Sequence, residues 1–221
     1  MALILTLNRK THRAYNRVRE NNFSLEGLLG HTLHGRTAGV VGTGKIGMCM
    51  VRILLGFGMK VVAYDTVHNP ELEKLGAMYV DTLKDLLSQS YIVTLHVPLL
   101  ESTKHMINSE SIQFMRPDSI LVNTSRGALV EDKAIIEALK RKHLGGLAID
   151  VYEKEEGLFF ENHEEDILDD DDIARLMSFP NVLMTGHQGF FTVESLREIA
   201  ITTIDNLRCF EEGKECKNVL G

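Results

Sequence analysis

The chain has 221 residues, of which 44% are hydrophobic and 25% are charged, and its mean hydropathy is −0.05. These values describe a water-soluble globular protein with a full core and at most two domains. The net charge of −7 and the pI of 5.7 argue against nucleic acid as a partner, because a phosphate backbone attracts basic surfaces.

The first stretch, MALILTLNRKTHRAYNRVRE, predicts an amphipathic helix over residues 2–19. Its apolar run is shorter than a signal-peptide core and far shorter than a membrane span, and no positive segment precedes it. We therefore expect neither a targeting segment nor a membrane anchor here. The residues that fall on the apolar face are Leu3, Ile4, Leu7, Tyr15 and Val18.

After the glycine-punctuated connector FSLEGLLGHTLHGR, short apolar runs alternate with segments of helical periodicity. The predicted strands are TAGVVG, KVVAYD, MYV, YIVTLHV, SILVNT, GGLAIDV and NVLMT. The predicted helices between them are IGMCMVRILLGFG, NPELEKLG, TLKDLLSQS, SESIQFM and DKAIIEALKRKH. Buried strands between amphipathic helices predict an α/β fold: a doubly wound, Rossmann-type parallel sheet with helices on both faces.

The acidic stretch ENHEEDILDDDDIARL raises the possibility of a calcium or magnesium site. An EF-hand loop needs alternating ligands, a central glycine and a closing glutamate, and none of these falls in place. We expect a solvated loop, with one aspartate capping a helix at DIARLM, and no metal.

The stretch GVVGTGKIG fits two phosphate-binding patterns. Read from Gly39, it approaches a P-loop, but Ile46 replaces the hydroxyl residue that should bind magnesium. Read from Gly42, it fits GxGxxG with Gly44 and Gly47, directly after a strand and at the start of a helix. The second pattern predicts a dinucleotide site.

The second strand ends in VVAYD, which places Asp65 about 20 residues beyond the first glycine, where its carboxylate can accept hydrogen bonds from the adenosine ribose. Its charge repels a 2′-phosphate, and Thr66 and Val67 bring no arginine to bind one. The sequence therefore favours NAD over NADP. On this basis Asp65→Ala should weaken NADH binding more than NADPH binding.

Three residues follow strands at the edge of the sheet where ligands bind: Arg126, Glu155 and His187. Arginine can grip a carboxylate, a protonated histidine can give its proton to a carbonyl oxygen, and a carboxylate can stabilise the imidazolium. Together they suit the reduction of a 2-keto acid. Taken singly, the same residues also fit a surface ion pair, one of several neighbouring glutamates and a packed imidazole.

The motifs VVGTGKIG, VNTSRGALVE, GLAIDVYEKEEGLFF and MTGHQGFFT resemble the D-isomer-specific 2-hydroxyacid dehydrogenases, and among them the NAD-dependent D-lactate dehydrogenases. The resemblance implies that Arg126 binds substrate, that Glu155 partners His187, and that His187 is the proton donor. It places Asp150 beside the nicotinamide carboxamide. Further cofactor contacts are implied for Lys45, Ile46, Val97, Pro98, Thr103, Thr124 and Ser125. The stretch GLFFENHEEDILDDD is similar to an acidic insertion of the lactate enzymes, which favours pyruvate over glycerate-type substrates.

The resemblance also implies a division into an NAD-binding domain over residues 1–189 and, over residues 190–221, the C-terminal segment of a flavodoxin-like substrate domain that lies mostly ahead of this chain. We expect the helix ESLREIAITTIDNLRCFEEGK to expose Ile199 and Ile204. We also expect the chain alone to bind NADH but to catalyse poorly or not at all. Residues 1–20 are expected to form a homodimer contact.

Cys49, Cys209 and Cys216 fit neither a disulfide framework nor a CxxC site, so we expect a cytoplasmic protein. The competing function is a non-catalytic NAD(H)-binding scaffold, similar to NADH-sensing corepressors of the same fold.

Overall fold

A parallel sheet of seven strands forms the centre of the chain in a computed structural model, which describes residues 1–164, 168–216 and 218. The strands are β1 (Thr37–Val41), β2 (Lys60–Tyr64), β3 (Met78–Tyr79), β4 (Ile92–Leu95), β5 (Ile120–Asn123), β6 (Gly146–Ile149) and β7 (Val182–Met184). They pair in the order β3-β2-β1-β4-β5-β6-β7, and all six pairings are parallel. The predicted doubly wound, Rossmann-type fold is confirmed.

Helices connect the strands. The α-helices of the described residues are α1 (Ala2–Arg9), α2 (Thr11–Arg19), α3 (Lys45–Gly56), α4 (Glu71–Lys74), α5 (Leu83–Gln89), α6 (Asp132–Lys140), α7 (Asp171–Met177) and α8 (Val193–Glu211). Within these described residues, no helix combines the length and apolarity needed to cross a bilayer.

Two hydrophobic cores, one on each face of the sheet, explain why the central strands are apolar throughout. One core joins α5, α6 and α7 to the strands, with Leu86, Ile135 and Ile173 among its buried residues. The other joins α1, α3 and α4 to them, with Ile4 and Val51 among its members. Alternate strand residues point into opposite cores, so every residue of β4, β5 and β6 is buried.

The prediction of a single helix over residues 2–19 is wrong, because the helix is interrupted at Lys10. This residue adopts a left-handed conformation with φ of 53° and separates α1 from α2. Helix α1 buries its apolar residues against the sheet, whereas α2 buries none of its side chains. At the end of α1, Asn8 donates to the carbonyl of His31 at 2.7 Å and accepts from the Tyr91 hydroxyl at 2.9 Å. These bonds fix α1 to the connector at His31 and to Tyr91, the residue before β4.

Two smaller expectations have different outcomes. The segment SESIQFM forms only a short 3₁₀ helix at Ser111–Phe114 instead of an α-helix. The predicted aspartate cap at DIARLM is confirmed, because Asp170 accepts hydrogen bonds from the backbone of Asp172 and Ile173 at the start of α7.

The chain divides into two compact units, Met1–Gly186 and His187–Gly221. The second unit contains α8, whose first turn is capped by the side chain of Thr192, which accepts from the backbone of Ser195. Helix α8 leaves Ile199 and Ile204 52% and 49% exposed, as expected from its sequence. The division at residue 189 drawn from the sequence stays a prediction.

Candidate active site

The carboxyl ends of the strands meet at one edge of the sheet, and in the first unit the predicted site residues lie in the loops that follow them. Contacts link these loops into a continuous surface. The Ser125 hydroxyl donates to the carbonyl of Val97 at 2.7 Å and so joins the loop after β5 to the loop after β4. The Thr185 hydroxyl donates to Asp150 Oδ1, which joins the loop after β7 to the end of β6.

The glycine loop, residues 42–47, has the shape that a pyrophosphate needs. Gly42 has φ of 92°, and a Cβ placed there would lie 2.7 Å from the backbone of His96. A Cβ on Gly47 would lie 2.0 Å from the carbonyl oxygen of Gly42, so only glycine permits α3 to start so close to β1. A Cβ on Gly44 would meet no atom within 4 Å. The backbone at Gly44 therefore faces open space, where a phosphate can approach the first N–H groups of α3.

Lys45 and Ile46 open α3 and are both exposed, with Ile46 72% accessible. Ile46 brings an apolar side chain to the place where a P-loop would carry a hydroxyl. The loop is therefore suited to a dinucleotide rather than to a magnesium nucleotide.

Asp65 lies at the end of β2 and binds the glycine loop directly. Its Oδ2 atom accepts from the backbone N–H of Thr43 at 2.6 Å and from the Thr43 hydroxyl at 2.9 Å. Its Oδ1 atom accepts from the backbone N–H of Val67 at 3.2 Å. Partial burial acts to raise the pKa of Asp65, but these hydrogen bonds outweigh it and hold the pKa below its usual value. The carboxylate is therefore charged at neutral pH, as ribose recognition requires.

His96 is a residue of this edge that sequence reasoning missed. It follows β4, and its Nε2 atom lies 3.0 Å from the Thr94 hydroxyl. Burial lowers the pKa of His96 to about 4, so its imidazole is neutral beside the glycine loop. In sequence it is one histidine at a strand end, and only its position against Gly42 and Gly47 distinguishes it.

The loop after β4 carries three of the predicted cofactor contacts. Val97 packs against the glycine loop, since a Cβ on Gly42 would lie 2.9 Å from its Cγ1 atom. The Thr103 hydroxyl donates to the carbonyl of Pro98 at 2.7 Å and accepts from the backbone of Leu100 at 2.8 Å. Thr103 thus stabilises the turn of this loop.

The loop after β5 presents Arg126 to solvent. Asn123 shapes this loop, because its side chain donates to the carbonyl of Arg126 at 2.8 Å and accepts from the backbone of Ser125 at 3.1 Å. The guanidinium of Arg126 is exposed and donates to the carbonyl of Ser125 at 2.7 Å. The neighbouring Thr124 is also exposed.

Asp150 and Glu155 belong to the segment after β6. Asp150 is buried, and its backbone N–H donates to the carbonyl of Asn123 at 3.0 Å. Glu155 is half-buried, and its Oε2 atom accepts from the backbone of Tyr152 at 3.0 Å. A Cβ on Gly127 would lie 2.0 Å from the carbonyl carbon of Tyr152, so this segment packs closely against the loop that carries Arg126.

A side-chain contact between a histidine and a glutamate adds a further link between loops that the sequence did not reveal. His105 Nε2 lies 2.9 Å from Glu153 Oε2, and the backbone N–H of His105 donates to the carbonyl of Ala128 at 2.8 Å. His105 therefore ties the loop after β4 to the loops after β5 and β6. Glu153 also belongs to an acidic cluster, which we define as Asp132, Glu153, Asp170 and Asp172.

The acidic cluster changes the protonation of Asp132, the first residue of α6. Burial, and then the charges of Glu153 and Asp172, raise the pKa of Asp132 to about 7. Lys154 lies 3.2 Å from Asp170 and 3.4 Å from Asp172 and offsets part of this negative charge. Across the residues that the structure describes, no three or more His, Cys, Asp or Glu side chains are arranged so that they could hold a metal ion.

His187 is the first residue of the second unit and follows shortly after β7. It has φ of 52°, a left-handed conformation that is uncommon for residues other than glycine. Its ring meets the ring of Phe190 edge-on, with 6.2 Å between the centroids.

Comparisons with known proteins agree with this architecture. The family model described as "D-isomer specific 2-hydroxyacid dehydrogenase, NAD binding domain" matches residues 1–189. Over 220 residues the chain is 56% identical to 2-hydroxyacid dehydrogenase A of Aspergillus oryzae and 53% identical to D-lactate dehydrogenase kk1H of Curvularia clavata. All of this chain is covered in both cases, but it spans only 63% of each relative.

A solved structure described as the pyruvate reductase of Chlamydomonas reinhardtii superposes with a TM-score of 0.94 at 45% identity. The match covers 98% of this chain and 66% of that one. Fold, glycine loop and sequence identity thus agree along the chain. The chain belongs to the D-isomer specific 2-hydroxyacid dehydrogenases, and its cofactor is NAD.

Proposed function

We propose that the chain catalyses the NAD-dependent reduction of a small 2-keto acid to a D-2-hydroxy acid, with pyruvate and D-lactate as the preferred pair. The observation that supports this proposal is that these groups share one edge of the sheet. The charged Asp65 and the open glycine loop lie at the same edge as the loops that contain Arg126 and Glu155. A dinucleotide-binding fold alone does not specify chemistry, so the proposal depends on these side chains.

The roles we propose follow from the chemistry of each group. Arg126 binds the carboxylate of the keto acid with two parallel hydrogen bonds, for which its exposed guanidinium is suited. His187 donates a proton to the carbonyl oxygen. Before that transfer, the negative charge of Glu155 stabilises the protonated form of the imidazole. When bound, NADH supplies the hydride that adds to the carbonyl carbon, so the keto acid is reduced as NADH is oxidised.

We propose that the glycine loop binds the pyrophosphate and that Asp65 binds the adenosine ribose. We propose that Asp150 lies beside the nicotinamide carboxamide. The further proposed contacts to NAD are Val97, Pro98, Thr103, Thr124 and Ser125. Pyruvate is favoured because relatives are named for D-lactate and for pyruvate. The resemblance of the stretch GLFFENHEEDILDDD to an acidic insertion of the lactate enzymes favours the same substrate.

We further propose a homodimer built through residues 1–20, and a cytoplasmic location. Tyr15 and Val18 of α2 are 62% and 50% exposed, which leaves apolar surface for a partner copy. The free thiols of Cys49, Cys209 and Cys216 suit a reducing compartment.

Steady-state assays with pyruvate, glyoxylate and hydroxypyruvate test the proposed reaction, with the lactate enantiomer identified by chiral separation. We expect pyruvate to be preferred and D-lactate to be the product. Because this chain spans only 63% of the relatives, we expect faster turnover from a form of the protein that has their full length. His187→Gln is the control, because it should lower turnover about a thousandfold while NADH binding is retained.

Preference for hydroxypyruvate, or formation of L-lactate, would contradict the substrate assignment. NADH binding without turnover in either form of the chain would instead favour the non-catalytic NAD(H)-binding scaffold.

A further inference from the structure

The hydroxyl group of Tyr79 joins three segments around the proposed ribose site. Tyr79 ends β3 at the edge of the sheet, and its Oη atom lies 2.8 Å from Oγ1 of Thr43 in the glycine loop. The same Oη atom accepts a hydrogen bond from the backbone N–H of Asn69, at 2.7 Å, in the loop after β2. The Tyr79 ring is held separately, because it stacks on His68 with 3.8 Å between the ring centroids.

The direction of each hydrogen bond follows from the charge on Asp65. An ionised carboxylate only accepts, so the single proton of the Thr43 hydroxyl points to Asp65 Oδ2 at 2.9 Å. The proton between Thr43 and Tyr79 must then come from Tyr79. Hydrogen bonds thus run in one direction from Asn69 through Tyr79 and Thr43 to Asp65.

This chain of bonds determines which part of the carboxylate is left for a ligand. Oδ2 of Asp65 takes both hydrogen bonds from Thr43, whose side chain is buried. Oδ1 accepts from the backbone N–H of Val67, and the backbone of Thr66 also stabilises the charged carboxylate. Oδ1 is the oxygen that Thr43 does not use, so it is the one that a ribose hydroxyl would bind. The orientation of the carboxylate therefore depends on Thr43, and the orientation of the Thr43 hydroxyl depends on Tyr79.

We propose that Tyr79 is a positioning residue for NAD, acting through Thr43 to fix the Asp65 carboxylate that binds the adenosine ribose. Tyr79 does not need to touch the cofactor. The loss of its hydroxyl leaves Oγ1 of Thr43 without its donor, so the Thr43 hydroxyl is held less firmly toward Asp65. The carboxylate then depends more on the backbone N–H groups of Thr43 and Val67 for its orientation.

Fluorescence titration of NADH against single and double variants tests this inference. Tyr79→Phe keeps the ring and removes only the hydroxyl. It should weaken NADH binding about fivefold, which corresponds to the net free energy of one hydrogen bond. Thr43→Val removes the middle hydroxyl and should weaken NADH binding more than Tyr79→Phe does. Thr43→Ser keeps a hydroxyl and should bind NADH with nearly the original affinity. Tyr79→Phe added to Thr43→Val should have no further effect, because the path is already broken.

Tyr91→Phe is the matched control, since it removes a hydroxyl that donates to Asn8 at 2.9 Å far from the glycine loop. It should lower the Tm and leave the NADH affinity unchanged. An NADH analogue without the adenosine 2′-hydroxyl should bind the original chain and Tyr79→Phe equally.

Unchanged NADH affinity in Tyr79→Phe, or additive losses in the double variant, would overturn the inference. An equal loss of the 2′-deoxy analogue would also overturn it, because the effect would then not pass through the ribose. Absence of NADH binding by the original chain would refute both the inference and the cofactor site.

Discussion

Asp65 uses one carboxylate for two tasks. Its Oδ2 atom holds the glycine loop through Thr43, and its Oδ1 atom, which Thr43 does not use, is the one proposed to bind the ribose. The hydrogen bonds it accepts hold its pKa below the usual value despite partial burial, so the negative charge persists at physiological pH. That charge both attracts ribose hydroxyls and repels a 2′-phosphate.

Asp65→Ala should therefore weaken NADH binding by about two orders of magnitude and NADPH binding by much less. Both cofactors lose the support that Asp65 gives to the glycine loop, but only NADPH gains from the removed repulsion. Fluorescence titration of both cofactors measures the difference. Equal losses of affinity for NADH and NADPH would show that Asp65 supports the glycine loop but does not bind the ribose.

The sequence predicted Asp65 because its distance from the glycines and its place at a strand end are local signals. It did not predict Thr43 or Tyr79, which lie 36 residues apart in sequence and meet only because β3 pairs with β2. Side-chain contacts of this range depend on the sheet order. For the same reason the sequence did not predict the contact between His105 Nε2 and Glu153 Oε2.

At the scale of elements, the central strands β4, β5 and β6 were predictable because each is a short apolar run buried on both faces. The break at Lys10 was not, because a left-handed lysine has no sequence signature and α1 is anchored by distant residues, His31 and Tyr91. Short helices also depend on packing, which explains why Ser111–Phe114 forms only a 3₁₀ turn.

The acidic cluster makes the contact between α6, α7 and the segment after β6 sensitive to pH. Burial and neighbouring charges raise the pKa of Asp132 to about 7, far above the 3.8 of an unfolded chain. The folded state therefore binds more protons between these values. The stability that this group contributes is complete below about pH 4 and is lost as the pH rises through about 7.

Asp132→Asn should consequently raise the free energy of unfolding at about pH 8 by about 1 to 2 kcal/mol, a value discounted because the carboxyl is only partly buried. At about pH 5 the effect should be smaller, roughly a third of that at pH 8, because Asp132 is protonated in the folded state and ionised only in the unfolded chain. Thermal and urea unfolding at both pH values measure this, with the exposed Asp171→Asn as control. The same stabilisation at both pH values would show that Asp132 does not titrate in this range.

At the scale of the whole molecule, the first unit exposes apolar side chains near its amino end. Tyr15 and Val18 lie on α2, and Phe23, Leu25 and Leu29 follow in the connector. Helix α2 buries none of its own side chains, so its tertiary contacts do not explain its apolar residues. A partner copy would cover them.

Sedimentation velocity at micromolar concentration should therefore give the mass of a dimer, and Val18→Glu should shift the chain toward monomer. Leu75→Glu, on an exposed position next to α4, is the matched control and should leave the mass unchanged. A monomeric mass for the original chain would exclude this interface.

Calorimetric titration of the 221-residue chain with NADH and with NADPH tests the central claim most directly, because it asks whether the glycine loop and Asp65 form a working NAD site. We expect one NADH site per chain with a Kd in the micromolar range, about −8 kcal/mol, and binding of NADPH at least about tenfold weaker. No saturable binding of NADH, or a preference for NADPH, would contradict the account.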